Sequence, residues 1–197
     1  EIRLASAYAL GIIAPGDARA IEALVDMLVD ESEMISGPVI EALCQVASGE
    51  IQTIYALLTK LEDESLAVRI AIISVLVQIA PRDVRVVETV VSMLDDEDLW
   101  IFVSSVITLE RIVPGDTQVI AALVGKLSDE KEEVRRISAK ALGKVAVGDV
   151  DAQVIKALLG MLGDKEYGVR NASAYALGKI GRGNTQVIAA LVDKLES

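Results

Sequence analysis

Apolar residues recur along this chain at two periods, a short one and a long one. Between Thr117 and Asp149, Val119, Ile120, Leu123, Val124 and Leu127 fall at i, i+1, i+4, i+5 and i+8. This is a helical stripe, not the strict alternation of a strand. Ser128-Asp129 interrupts it, and Val134, Ile137, Ala141, Leu142 and Val145 then restate the spacing. Gly148-Asp149 closes the segment with residues suited to ending one helix and starting the next. The stretch therefore predicts two helices, each with one apolar face that it cannot bury alone.

The same unit returns along the whole chain. Asp149 steps back by 33 residues to Asp116, Asp83, Glu50 and Asp17, and Leu142 to Leu109, Leu76, Leu43 and Leu10. Forward the step is 35, carrying Val134 to Val169 and Leu142-Gly143 to Leu177-Gly178. Self-similarity at a period in the thirties is the signature of stacked repeats, whose neighbours build one continuous core. The expected fold is an all-α solenoid of helix pairs, about twelve helices in a right-handed superhelix. It is read as one repeat domain over 1–197: a second-helix remnant at 1–17, units 18–50, 51–83, 84–116, 117–149 and 150–184, and a first-helix remnant at 185–197. Both ends fall mid-unit, so a fragment of a longer solenoid is expected, with self-association possible through the uncapped ends. In the first unit, Pro38 predicts a second helix that starts late, near Ser36, or kinks.

Two polar positions recur with the apolar ones. An acid closes the first helix at Asp30, Asp63, Asp96, Asp129 and Asp164, and an arginine follows six residues later at Arg69, Arg135 and Arg170. Arg3 stands at the same place in the opening remnant. The acid can cap free amides at the start of the second helix. The arginine fork can reach such an acid in its own or an adjacent unit. A ladder that fixes the stacking is expected.

The pairs Val68-Arg69, Val134-Arg135 and Val169-Arg170, followed by Ala-Leu-Gly at Ala141–Gly143 and Ala176–Gly178, resemble HEAT repeats. They are most similar to the short type of the phycobilisome-lyase and bacterial HEAT-repeat families. The resemblance covers the whole chain and implies a scaffold for binding other proteins. It also implies an alternative, a bilin-lyase-like or chaperone-like subunit that holds a pigment or client protein. Cys44, Val77 and Glu110 at the glycine position argue against a consensus-designed array.

Composition narrows the chemistry. The 197 residues include no histidine, which removes His-based metal sites, Ser-His and Cys-His nucleophile pairs and histidine general bases. No catalytic, cofactor or metal site is expected. Net charge is −11, and residues 1–83 carry 13 acids against 5 bases, the opposite of a nucleic-acid track. Acid clusters such as Asp95–Asp98 read as loops and caps. Cys44 is the single cysteine and is expected to pack in the interior. No apolar run reaches the length of a membrane span, and Glu1-Ile2-Arg3 already reads as helix, so a cytoplasmic protein without membrane contact is expected.

Function is sought where the units differ most, on the outward positions of the second helices, expected to line the concave side. The fourth unit puts Glu132, Glu133, Arg136, Lys140 and Lys144 there, an ordinary solvated set. The third unit puts Leu99, Trp100, Val103 and Ile107 at equivalent places, and the second puts Leu66 and Ile70. Met34 and Tyr8 extend the set toward the N-terminus. Two outcomes stand open. These residues bury one another, or they form an exposed patch that binds a protein or peptide partner.

Overall fold

The computed structural model describes residues 2–30, 36–47, 51–61, 66–146 and 152–196. Among them lie twelve α-helices and no strand. The chain divides into two compact units, residues 1–90 and 91–197. The first contains α1 (Ile2–Ile13), α2 (Ala18–Asp30), α3 (Ser36–Val46), α4 (Ile51–Lys60), α5 (Leu66–Ile79) and most of α6 (Val84–Ser92). The second contains α7 (Leu99–Ile112), α8 (Thr117–Gly125), α9 (Glu132–Val145), α10 (Ala152–Met161), α11 (Tyr167–Ile180) and α12 (Thr185–Glu196).

Each unit has two layers. In the first, the second helices α1, α3 and α5 pack in succession, and the first helix α2 packs on α3 and α4. In the second, α7, α9 and α11 pack in succession, while α8 packs on α9 and α10, and α10 on α11 and α12. The repeating stripe supplies the core: Leu109, Leu123, Leu127, Val134, Leu142 and Val145 are all buried. Pro38 sits in the first turn of α3, where its missing amide costs nothing. Residues 31–35, which include Met34, lie outside the described residues.

Turn chemistry is repeated as faithfully as the stripe. Before α2, α8 and α12 a glycine takes a positive φ (Gly16 at 76°, Gly115 at 86°, Gly183 at 76°), a conformation closed to most side chains. The next residue then caps the helix. Asp17 Oδ1 accepts from the amides of Arg19 and Ala20, Asp116 Oδ1 from Gln118 and Val119, and Asn184 Oδ1 from Gln186 and Val187. The turn also joins adjacent repeats, because Gly16 N donates to Val46 O and Gly115 N to Val145 O, both at 2.8 Å.

Glycine has a second use, in helix-to-helix approach. A Cβ on Gly143 of α9 would lie 2.8 Å from Ala176 Cα of α11, and one on Gly11 of α1 would lie 3.1 Å from Ala42 Cα of α3. The Ala-Leu-Gly motif thus sets the spacing of successive second helices. Cys44 takes the glycine position in α3 and is half-buried; burial, with help from Glu41, pushes its thiol pKa up.

The candidate interaction face and the ladder beneath it

The arginine ladder positions the second helices of the second unit. Arg135 donates through Nη1 to the carbonyl oxygens of Asp129 and Glu130, both at 2.9 Å, tying α9 to the loop before it. Its other edge makes a two-point contact with Asp164 of the next repeat, Nε to Oδ2 at 2.8 Å and Nη2 to Oδ1 at 3.1 Å. Both side chains are nearly buried. These hydrogen bonds hold the Asp164 pKa below the usual carboxylate range. Arg170 repeats the inner half of the arrangement on the carbonyls of Asp164 and Lys165.

Three ladder acids among the described residues do not cap the second helices, as their spacing suggested. Asp96, Asp129 and Asp164 each accept from the amide two residues on, at Asp98, Lys131 and Glu166, which precede the helical turns. The acid therefore shapes the loop, and in Asp164 both oxygens also face Arg135, Oδ1 accepting from Glu166 N and Arg135 Nη2 and Oδ2 from Arg135 Nε. In α7 a separate residue, Asp98, caps the helix by accepting from Trp100 N at 2.7 Å.

Where the third unit lacks the arginine, Phe102 fills the place and is fully buried. Lysines of the following repeat then make the cross-links. Lys126 reaches Asp95 at 2.8 Å and Asp129 at 4.0 Å, Lys131 donates to Glu97 O at 2.9 Å, and Lys144 meets Glu110 at 2.6 Å. Glu110 stands at the glycine position, so the residue that breaks the motif also supplies the carboxylate. In the first unit Arg85 forks onto its own cap residue, Asp83 (2.6 and 2.9 Å), and lies 4.6 Å from the centre of the Tyr55 ring. The fork lowers the Asp83 pKa to about 2. The contacts between repeats were not legible, because their partners lie about one period apart.

On this frame sit the candidate site residues. In α7, Leu99, Val103 and Ile107 follow one face at four-residue spacing. Leu99 and Val103 are half-buried and Ile107 is exposed. Trp100 has 69% of its surface open to solvent. The next second helix, α9, presents exposed Glu132, Arg136 and Lys140 at the matching positions, and α11 presents exposed Tyr167 and Tyr175. The tyrosines lie near cations, Tyr167 5.8 Å from Arg170 and Tyr175 5.4 Å from Lys179. The aliphatic stem of Arg136 lies against Gly168, where a Cβ would come within 3.0 Å of its Cδ. A hydrogen bond shared with the Glu166 carboxyl raises the Glu132 pKa.

In the first unit, Tyr8 and Leu66 are exposed and Ile70 is half-buried. These three belong to one compact unit and the four residues of α7 to the other. Among the described residues no group of histidine, cysteine or acids could hold a metal ion. No described helix is long and apolar enough to cross a membrane.

Two layers of paired helices, repeating at about 33 residues and joined by an arginine ladder, define a helical-repeat protein. The family model described as HEAT repeats matches residues 120–197. Several solved structures are similar. One engineered protein, 25% identical, aligns over 90% of this chain and 51% of its own with a TM-score of 0.49. A designed armadillo repeat protein in complex with the peptide (KR)4, 20% identical, aligns over 90% of this chain and 91% of its own with a TM-score of 0.49. Another engineered protein, 26% identical, aligns over 88% and 84% with a TM-score of 0.47. The chain spans about half the length of the first of these. No curated relative matches it.

Proposed function

We propose that this chain is a non-enzymatic interaction scaffold that binds a protein or peptide partner across the outward, concave face of its second helices. The observation that carries this reading is Trp100. It is the sole tryptophan, it is largely exposed, and it caps a ridge of Leu99, Val103 and Ile107 where the next repeat places charges. Large apolar side chains held open on a rigid frame match the anchors of protein interfaces. Tyr167 and Tyr175, two repeats along, add amphipathic contact area on the same face of the second unit. Within the other compact unit, Leu66, Ile70 and Tyr8 offer apolar surface of the same kind. A net charge of −11 favours a protein partner over nucleic acid.

A peptide library selected on the wild-type chain and counter-screened on Trp100→Ala tests this. Binders should lose about 2 kcal/mol or more with Trp100→Ala and keep their affinity with Tyr55→Ala, which alters a first helix. Binders indifferent to Trp100→Ala would overturn the reading.

A further inference from the structure

The chain carries a net charge of −11, yet the outward positions beside the Trp100 ridge are basic. Helix α9 packs between α7 and α11, and all three belong to one compact unit. The repeat step places Ile107, Lys140 and Tyr175 at equivalent positions on the three helices, with Val103 and Arg136 one turn earlier. One turn later the row reads Arg111, Lys144 and Lys179, a base on each helix. All of these side chains are exposed except Val103, which is half-buried. In the first unit the same places hold no base. Tyr8, Glu41 and Ser74 stand where Lys140 does, and Ile12, Gln45 and Gln78 where Lys144 does.

Two of these bases have no structural task. A base in the last turn complements the helix dipole, which accounts for Arg111, Lys144 and Lys179. Lys144 also meets Glu110. Arg136 and Lys140 lie earlier in α9, and among the described residues their side chains make no ion pair or hydrogen bond. Their neighbour Arg135 is the contrast, nearly buried and forked onto Asp164.

Arg136 is also given room. Gly168 of α11 stands where the two preceding repeats carry Trp100 and Glu133, and a Cβ there would come within 3.0 Å of Arg136 Cδ. The missing side chain leaves the arginine stem its path toward α11. The acids on the outward face of α9, Glu132 and Glu133, stand on its first turn, level with Leu99 and Trp100. The face therefore changes sign along α9, from acid at the start of the ridge to base beside Val103 and Ile107.

Resting on the scaffold reading above, we propose that the partner is an acidic peptide segment laid in extended form across α7, α9 and α11. An apolar side chain sits on Val103 and Ile107 against Trp100. A carboxylate meets Arg136 and Lys140, and a second apolar or aromatic side chain lies on Tyr175. Neighbouring helices pack about 8–10 Å apart, and an extended chain advances about 3.3 Å per residue. The acid thus falls about three residues from each apolar anchor. The exposed bases steer the encounter and select the sign of the partner, while the apolar anchors hold it.

A randomised peptide display library tests this, selected in parallel on the wild type and on the double variant Arg136→Glu with Lys140→Glu. Both side chains are exposed and unpaired, so an unchanged helical circular dichroism spectrum is expected of the variant. The wild-type pool should be enriched in Asp and Glu about three residues from an apolar residue. Its binders should weaken about tenfold or more on charge reversal, less with Lys140→Gln alone, and should weaken as salt is raised. The pool from the double variant should carry Lys or Arg at the same place. Binders that need Trp100 but are indifferent to charge reversal would overturn this inference and leave the scaffold reading standing. Binders indifferent to both changes would overturn both, as would a library that yields none. A single-stranded oligonucleotide held by the wild type and released by charge reversal, with no acidic peptide selected, would mean a phosphate ligand and would overturn the peptide.

Discussion

Arg135 and Asp164 lie 29 residues apart and make a two-point ion pair across a repeat boundary, with both side chains nearly buried. Removing one partner strands the other. Arg135→Ala should cost about 3–5 kcal/mol, the usual result of leaving one member of a buried pair uncompensated. Replacing both together, Arg135→Met with Asp164→Leu, should cost much less. Urea unfolding of the single and double variants measures the difference, and equal losses would show that the pair is not coupled.

The same contact sets a pH dependence. Hydrogen bonds from Arg135 hold the Asp164 pKa below its ordinary value of 3.8, and Arg85 holds Asp83 at about 2. A lowered folded-state pKa means that the unfolded chain binds protons more readily. The stabilisation is present above 3.8 and is lost as pH falls through the folded values. Glu132 has the opposite sign. Its pKa is raised above 4.5 by Glu166, so its small contribution is present below 4.5 and fades as pH rises. Denaturant midpoints between pH 5 and pH 2 should fall, and the fall should be shallower in Arg135→Met.

Gly143 and Gly178 occupy the same repeat position but should respond oppositely to alanine. At Gly143 the new Cβ would stand 2.8 Å from backbone of α11, and overpacking of this kind costs about 1–3 kcal/mol. At Gly178 there is open space, and alanine should gain about 0.5–1 kcal/mol from helix propensity. Thermal unfolding of the dilute variants checks both signs.

Two buried serines should also differ. Ser173 donates to Val169 O at 2.9 Å, whereas the buried Ser138 hydroxyl has no hydrogen-bond partner. Ser173→Ala should cost about 1 kcal/mol, and Ser138→Ala should be neutral or stabilising. Unfolding free energies of the pair measure this directly.

Trp100 offers an optical test. With most of its surface open, the free chain should emit at long wavelength and be quenched readily by acrylamide. A bound partner that covers the ridge should shift the emission blue and protect it. Blue-shifted, protected emission in the dilute chain would mean that the indole is already packed.

The sequence by itself determined most of what acts over three or four residues, the ladder acids excepted, which bond the loop amide two residues on instead of capping the helix. Periodic apolar positions placed the helices, glycine followed by Asp or Asn placed the caps, and a step of 33 or 35 residues paired equivalent positions. Even the departures, Phe102 for the ladder arginine and Glu110 for glycine, were visible as breaks in a pattern. The sequence left open what lies one period away, because a local pattern fixes which face is apolar but not what is laid upon it. Arg135 could have taken the Asp129 carboxylate. The tertiary structure gives it that residue's carbonyl and sends its fork to Asp164 instead. Trp100 and Phe102 are neighbours on one helix, yet rotation about its axis leaves the first open and buries the second. The eight residues TQVIAALV, at Thr117–Val124 and again at Thr185–Val192, make the point without any change of sequence. Covered by a second helix their stripe is core, and without one it is surface, since burial belongs to the neighbour as much as to the residue.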